Sequence, residues 1–315
     1  MNEATTLQAL KDRFVAGDLA KPDFISQALA IHRQLFSYVA VTQSTDIHEI
    51  TVDPDGVSFV MGTERIRLFA PPNEARVAPV EVMNFGRYEP EETAVMDLLA
   101  RDARQILDIG ANIGWYSVRL AIRNPGACVH AFEPMPLSYS YLQRNISANA
   151  VGTMVTPYNY GLSEAGGSFE FHIAPAGGTN ASLLNVADAA DARRVVGLTL
   201  TLDQWCANSS VKPDFIKCDV EGAELLVFRG GRETIARDKP IVFAELLRKW
   251  AKPFGYHPND VLSFFAERGY VSFAVGQGGV RRIDSVDDQT VETNYAFVHA
   301  QAHCDLIGQL EAMTS

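Results

Sequence analysis

Residues 106–114 read Ile-Leu-Asp-Ile-Gly-Ala-Asn-Ile-Gly and are the most informative stretch of this 315-residue chain. An apolar run ends in an acid and a Gly-rich turn, and residues 115–118, Trp-Tyr-Ser-Val, continue into a helical pattern. Glycines let the backbone approach a ligand closely, and the first N–H groups of a helix direct a partial positive charge at it. The stretch therefore predicts a strand, a turn and a helix with a ligand at the turn.

A second apolar strand, residues 128–132, ends in Glu133 and Pro134. An acid about 20 residues after such a turn places a carboxylate beside the ribose hydroxyls of a bound nucleoside. Dinucleotide folds have glycine directly at the strand end and the spacing G-x-G-x-x-G. Here Asp108 precedes Gly110 and the middle glycine is absent, so a cationic ligand such as S-adenosylmethionine fits the turn better than a pyrophosphate. Turns of this kind also occur in sheets that bind nothing there.

Composition limits the class of protein. Apolar residues make up 47% of the chain, which is enough for a sizeable core, and the formal net charge of -11 argues against a nucleic-acid partner. The four cysteines lie far apart without a C-x-x-C pair, which favours free thiols and a cytoplasmic protein over disulfides or zinc. We find neither a signal-peptide pattern nor an apolar run of membrane-spanning length.

The chain divides into two parts. Residues 1–87 are predicted to form a small α+β extension, with apolar residues at helical spacing near the start, a hairpin at 50–61 and a short strand at 66–69. Its role is left open between a lid, a contact in a homodimer and an acceptor-recognition unit. Residues 88–315 are predicted to form the main domain.

In the main domain, strands alternate with helices. Predicted strands cover residues 106–109, 128–132, 154–160, 214–218 and 240–244, with an extra strand at 168–173 and a late pair at 270–275 and 295–299. Predicted helices cover 91–103, 115–123, 137–149 and 223–236. Short connections and apolar strands predict a doubly wound parallel sheet with ligands at the carboxyl ends of the strands. Asp108, Glu133, Asp219 and Glu245 all fall at that edge.

Five motifs in this order resemble the FkbM family of S-adenosylmethionine-dependent methyltransferases. The resemblance covers roughly residues 89–298, and Cys218 stands where the family usually has Ile or Leu. The motifs are residues 108–117 (Asp-Ile-Gly-Ala-Asn-Ile-Gly-Trp-Tyr-Ser), 132–136 (Phe-Glu-Pro-Met-Pro), 159–163 (Asn-Tyr-Gly-Leu-Ser), 201–203 (Thr-Leu-Asp) and 215–224 (Phe-Ile-Lys-Cys-Asp-Val-Glu-Gly-Ala-Glu).

The resemblance implies a class I methyltransferase fold, a Rossmann-like seven-stranded sheet with an antiparallel last strand. It also implies that the first turn surrounds the methionine part of the cofactor, that Glu133 holds the ribose and that residues 161–163 flank the adenine. For Tyr116, packing within the helix is an equal alternative. The residues expected at the cofactor are Asp108, Gly110, Ala111, Asn112, Gly114, Tyr116, Ser117, Glu133, Pro134, Gly161, Leu162, Ser163 and Asp219.

The family implies O-methylation of sugars or of hydroxyls on natural products. A carboxylate within hydrogen-bond reach can accept the proton of the acceptor hydroxyl, and Asp219 and Glu221 are the first candidates, followed by Glu245. The alternative is that Asp219 holds the amino group of the cofactor and Glu221 caps the next helix. His172, Asn180 and Ser182, in and beside a Gly-rich loop, are candidate acceptor contacts, although an ordinary strand position is the simpler interpretation of His172.

A divalent metal between Asp219 and Glu245 is considered because Mg²⁺ sites use carboxylates with waters. No third ligand lies at a suitable spacing, so we predict no metal. The sequence leaves three other functions as alternatives: N-methylation in the same fold, a nicotinamide-dependent oxidoreductase, and a noncatalytic nucleotide-binding protein. The turn at Gly110 argues against the oxidoreductase, and the four acids at the strand ends argue against the noncatalytic protein. The sequence does not identify the acceptor.

Overall fold

A computed structural model describes residues 6–173, 181–182 and 193–313. The helices are α1 (Leu7–Val15), α2 (Lys21–Ser44), α3 (Ala78–Phe85), α4 (Pro90–Ala100), α5 (Trp115–Arg123), α6 (Pro136–Ala148), α7 (Leu202–Ser209), α8 (Glu224–Gly230), α9 (Arg232–Asp238), α10 (Arg248–Ala251), α11 (Pro258–Ala266) and α12 (Cys304–Ala312). No helix in the described ranges is long and apolar enough to cross a membrane.

The strands form three sheets. They are β1 (Ile47–Asp53), β2 (Gly56–Met61), β3 (Ile66–Phe69), β4 (Gln105–Ile109), β5 (Cys128–Phe132), β6 (Val155–Tyr158), β7 (Gly161–Leu162), β8 (Gly167–Ile173), β9 (Ala181–Ser182), β10 (Arg193–Leu200), β11 (Phe215–Cys218), β12 (Ile241–Glu245), β13 (Tyr270–Gly276), β14 (Gly279–Arg282) and β15 (Asn294–His299).

The central sheet has the order β14-β13-β15-β12-β11-β4-β5-β6. Strands β6, β5, β4, β11 and β12 are parallel, and β15 is antiparallel to both of its neighbours. The predicted doubly wound arrangement with an antiparallel last strand is confirmed. The sheet has eight strands rather than the predicted seven, because β13 turns back at Gln277-Gly278 and pairs with β14 as a hairpin.

Two further differences concern the second half of the chain. Strand β10 was not predicted, and it pairs with the expected extra strand β8 in a separate sheet of order β7-β10-β8-β9. The predicted helix over residues 223–236 is divided into α8 and α9 at Gly231. Adjacent glycines propagate a helix poorly, and Gly231 packs against α7, where a Cβ would lie 2.5 Å from Leu202 Cδ2.

The N-terminal extension packs directly on the main domain. The order β1-β2-β3 confirms the predicted hairpin and short third strand. Ile47, Met61, Ile66 and Leu68 are at most 1% exposed and belong to the same apolar cluster as the α5 residue Val118. The hydrophobic core is therefore continuous across residue 87.

Asn145 of α6 and Asn149, the residue that follows α6, bind the free edge of β3. Asn145 accepts the N–H of Phe69 at 2.7 Å and donates to its carbonyl at 3.1 Å, and Asn149 does the same for Arg67 at 2.9 and 2.7 Å. Asn145 also donates to the carbonyl of Ile113 at 2.7 Å. Side-chain amides thus replace a neighbouring strand, and Asn145 connects the extension to the Gly-rich turn.

We predict that Asn145→Ala lowers the free energy of unfolding by about 1–3 kcal/mol, because it leaves buried backbone groups of Phe69 and Ile113 without partners. Urea denaturation followed by circular dichroism measures the change. Asn208→Ala, at an exposed position of α7, is the matched control and is expected to have no measurable effect. Equal stability of the two variants would contradict a structural role for the Asn145 amide.

Candidate active site

The Gly-rich turn lies at the carboxyl edge of the central sheet, between β4 and α5. Gly110 has φ +79° and Asn112 has φ +49°, both in the left-handed region. A Cβ at Gly110 would lie 1.8 Å from the carbonyl oxygen of Asp219, so only glycine allows the turns after β4 and β11 to meet. This contact forms the floor of a cleft.

Glu133, at the end of β5, is held by backbone donors. Its carboxylate accepts the N–H groups of Asn112 and Met135, each at 2.9 Å. Burial raises the pKa of Glu133 to about 7, even though both hydrogen bonds oppose the shift. The side chain is 5% exposed and borders the cleft, where a diol can donate to it.

Lys217, in β11, joins three parts of the site. Its ammonium donates to the carbonyl of Gly110 at 3.0 Å and lies 3.5 Å from the carboxylates of Asp108 and Asp219. Burial alone lowers the pKa of a lysine, but the charges of Asp219 and Asp108 outweigh it and hold the pKa of Lys217 above its usual value. Lys217 is therefore a buried cation that positions the Gly-rich turn.

Two residues predicted to contact the cofactor lie behind the cleft wall. Asp108 and Ser117 are both 0% exposed, and the Ser117 hydroxyl donates to the Asp108 carboxylate. Gly114 also faces the protein, since a Cβ there would lie 2.6 Å from Leu142 Cδ1. Because their side-chain positions are enclosed by protein, these residues shape the turn rather than line the cleft.

Tyr116 forms a hydrogen bond with Glu89, which the sequence analysis does not name as a candidate. Its hydroxyl donates to Glu89, just before α4, and its ring lies 5.5 Å from Lys217 Nζ. Glu89 has left-handed backbone angles, φ 43° and ψ 57°, and burial raises its pKa to about 7. Tyr116 thus contacts Glu89 and Lys217, and both alternatives for it, helix packing and a cofactor contact, stay open.

The turn after β11 carries Asp219 and Glu221 into the cleft. Glu221 has φ +56° and Gly222 has φ +98°. Glu224 stabilises this turn, since its carboxylate accepts the N–H groups of Val220 and Gly222 at 3.0 and 3.1 Å. Glu224 therefore binds two of the free N–H groups before α8, and the cap proposed as the alternative role of Glu221 stays a prediction.

The acids of this region differ in protonation. Burial and the charge of Asp219 raise the pKa of Glu245 to about 10, and the same two causes raise the pKa of Glu221 well above its usual value. Glu245 is therefore neutral at pH 7 and can donate a hydrogen bond. Asp219 is 37% exposed and forms the ion pair with Lys217.

The cleft is lined by residues of the turns that follow β4, β5 and β11. Its residues fit S-adenosylmethionine, with apolar walls for an adenine and Glu133 for the ribose. Asn112 Oδ1 is buried without a partner among the described residues. The lining consists of Ile109, Gly110, Asn112, Glu133, Pro134, Gly161, Leu162, Phe171, Thr199, Asp219, Val220, Glu221 and Ala223.

The remaining predicted residues are placed as follows. Pro134, Gly161 and Leu162 line the cleft. Ala111 and Ser163 are buried and donate backbone N–H groups to Phe132 and Leu200. Asn180 and the side chains of His172 and Ser182 lie outside the described residues. Within the described residues, no group of three or more His, Cys, Asp or Glu could hold a metal.

The sequence analysis does not identify three residues of the site, which are Lys217, Glu89 and Glu224. A lysine between Ile216 and Cys218 in an apolar strand is a usable signal, because a buried ammonium needs carboxylate partners. Glu89 carries no comparable signal, since its contact with Tyr116 joins residues 27 positions apart.

Comparison with known proteins agrees with this geometry. The model of the methyltransferase FkbM domain matches residues 108–272. The hexuronic acid methyltransferase AglP of Haloferax volcanii is 32% identical over 180 residues, which are 56% of this chain and 68% of AglP. The 2-O-methyltransferase NoeI of Sinorhizobium fredii is 26% identical over 46% of this chain and 64% of NoeI. A solved FkbM methyltransferase from Methylobacillus flagellatus KT aligns at 19% identity and a TM-score of 0.40, over 62% of this chain and 44% of its own.

The sheet order, the Gly-rich turn and the acid after β5 define a class I methyltransferase. More narrowly, the chain belongs to the FkbM methyltransferase family, whose domain covers more than half of it. S-adenosylmethionine is its cofactor, and the nicotinamide-dependent and noncatalytic alternatives are not favoured.

We predict that Lys217→Met lowers the free energy of unfolding by about 3–5 kcal/mol, because it leaves the buried Asp108 carboxylate without its cation. Adding Asp108→Asn removes that charge and is expected to recover part of the loss. Urea denaturation compares these variants with Lys212→Met, an exposed control. If Lys217→Met alone is as stable as this control, the ion pair is dispensable for folding.

Proposed function

We propose that this protein transfers a methyl group from S-adenosylmethionine to a hydroxyl of a sugar, a glycan or a natural product. The observation that carries the proposal is the Asp219 carboxylate, which lies in the cleft wall and is ion-paired with Lys217. The names of the relatives AglP and NoeI, a hexuronic acid methyltransferase and a 2-O-methyltransferase, support a sugar acceptor.

The proposed chemistry divides the acids by protonation state. When bound, S-adenosylmethionine would supply the methyl group and leave as S-adenosylhomocysteine. As the new C–O bond forms and the methyl–sulfur bond breaks, the acceptor hydroxyl becomes acidic and the Asp219 carboxylate accepts its proton. Glu245, which is neutral at pH 7, donates a hydrogen bond that orients the acceptor, and Glu221, whose pKa is also raised, contacts it as well. This arrangement favours O-methylation over N-methylation, since an amine acceptor has less need of a base.

We propose cofactor contacts for the cleft-lining residues Gly110, Asn112, Glu133, Gly161 and Leu162. Glu133 binds the ribose hydroxyls, and the apolar wall near Leu162 receives the adenine. Asp108, Ser117 and Gly114 act indirectly through the shape of the turn. The metal-free reaction proposed from the sequence needs only the carboxylates already in the cleft.

We further propose that residues 1–87 form an extension to the catalytic part, residues 88–315, and pair two copies of the chain. Helix α2 has 24 residues, of which Ala28 is buried. Leu35, Phe36 and Val39 are 62%, 73% and 53% exposed. Leu35 and Val39 line a groove together with the exposed Val52 of β1 and Val57 of β2. The four free thiols support a cytoplasmic location.

The function is tested with Asp219→Asn and a labelled methyl donor. With hexoses and hexuronic acids as acceptors, kcat is expected to fall about 10²–10⁴-fold, while the affinity for S-adenosylhomocysteine, measured by calorimetry, changes less than threefold. A loss of affinity with kcat retained would assign Asp219 to cofactor binding instead.

Two further variants serve as controls for the measurement of cofactor binding. Glu133→Gln is expected to weaken S-adenosylhomocysteine binding at least tenfold, and Glu233→Gln, at an exposed position, is expected to leave it unchanged. Failure of the wild-type protein to methylate any hydroxyl while it binds S-adenosylhomocysteine would count against the proposed acceptor class.

The homodimer is tested by analytical ultracentrifugation. We expect the wild-type chain to sediment as a dimer and Leu35→Glu/Phe36→Glu to sediment as a folded monomer, because charges on a buried apolar contact prevent association. Val291→Glu, at a position that is 86% exposed and far from α2 in sequence, is the control. A monomeric wild-type chain at micromolar concentration contradicts the proposal.

A further inference from the structure

Trp250, in α10, packs against Gly222 in the turn after β11. A Cβ at Gly222 would lie 2.4 Å from the Trp250 carbonyl oxygen and 3.1 Å from its Cβ. Gly222 follows Glu221, which lines the cleft. Trp250 therefore lies beside the acid-bearing turn, and the surface formed by its indole with Arg76 and Lys249 is called the rim.

Two cations flank this indole. The guanidinium carbon of Arg76 lies 5.8 Å from the ring centroid, and Lys249 Nζ lies 5.2 Å from it. Arg76 comes from the extension, between β3 and α3, whereas Lys249 precedes Trp250 in α10. The rim is thus built jointly by the extension and the main domain.

Arg76 and Lys249 are both exposed, whereas the neighbouring Arg248 is ion-paired with Asp288. The positive charge of Arg76 does reach the cleft, because it acts on Glu221 and partly offsets the rise in the pKa of that residue. The rim therefore carries two exposed positive charges next to the acids.

Two of the nearby acids add little free negative charge. Asp219 is paired with Lys217, and Glu245, whose pKa is raised to about 10, is neutral at pH 7. An anionic group at the rim would therefore contact the positively charged side chains of Arg76 and Lys249. The planar guanidinium of arginine matches a carboxylate with two parallel hydrogen bonds, and an indole offers an apolar face to the ring that bears it.

We propose that Arg76, Lys249 and Trp250 form an acceptor subsite for a carboxylate-bearing sugar, a hexuronic acid. The acid group pairs with Arg76, Lys249 adds a second charge, and the sugar ring lies against Trp250. This inference rests on the proposed function and names its acceptor class more narrowly. It also gives the extension a role in acceptor recognition.

The test compares methyl glucuronide with methyl glucoside, its neutral counterpart, as acceptors. The wild-type protein is expected to prefer the glucuronide at least tenfold in kcat/KM, and Arg76→Gln is expected to reduce the preference to below threefold. The change is expected in KM with kcat nearly unchanged, because the contact is remote from the reacting hydroxyl. Arg76→Lys is expected to restore part of the preference.

Arg87→Gln is the matched control, since Arg87 is an exposed arginine of the same segment with a carboxylate partner, Asp46. The preference of Arg87→Gln for the glucuronide over the glucoside is expected to equal that of the wild-type protein. Equal use of both acceptors by the wild-type protein, or an unchanged preference in Arg76→Gln, overturns the subsite while the proposed hydroxyl methylation stands. No methylation of either acceptor by a protein that binds S-adenosylhomocysteine overturns the subsite and the sugar acceptor together.

Discussion

The ammonium group of Lys217 is the interaction on which the cleft depends. It lies in the interior strand β11, between the carboxylates of Asp108 and Asp219, and donates to the Gly110 carbonyl. A charge in this position is tolerated only when it is paired and hydrogen-bonded. Its partners come from the ends of two neighbouring strands, so satisfying one lysine also brings the Gly-rich turn against the turn that carries Asp219.

The same constraint separates the roles of the acids. Asp108 pairs with Lys217 and accepts a hydrogen bond from Ser117, and it does not line the cleft. Asp219 also pairs with Lys217 but remains accessible. Glu221 and Glu245 crowd around Asp219 in a partly buried space, and their pKa values rise as a result. One fixed positive charge therefore lies beside one accessible carboxylate, Asp219, and near two acids whose pKa values are raised.

The extension is coupled to this centre at several points. Asn145 links β3 to the Ile113 carbonyl in the Gly-rich turn, and the buried Arg119 of α5 pairs with Glu64 of the extension. Glu89, which follows the extension directly, holds the Tyr116 hydroxyl. The segment that the family domain does not cover thus contributes to the geometry of the cofactor turn, in addition to the rim at Arg76.

The sequence by itself determined the alternation of strands and helices, the Gly-rich turn, Glu133 and the acids at the strand ends, because these features depend on local patterns and on the common edge of parallel strands. It did not reveal β10, the hairpin strand β14, the roles of Glu89 and Glu224, or the enclosure of Asp108 and Ser117. Those depend on contacts between residues distant in the chain. Burial and charge pairing decide whether an acid faces the ligand or Lys217, and whether that acid holds a proton. Both exist only once the tertiary structure has formed.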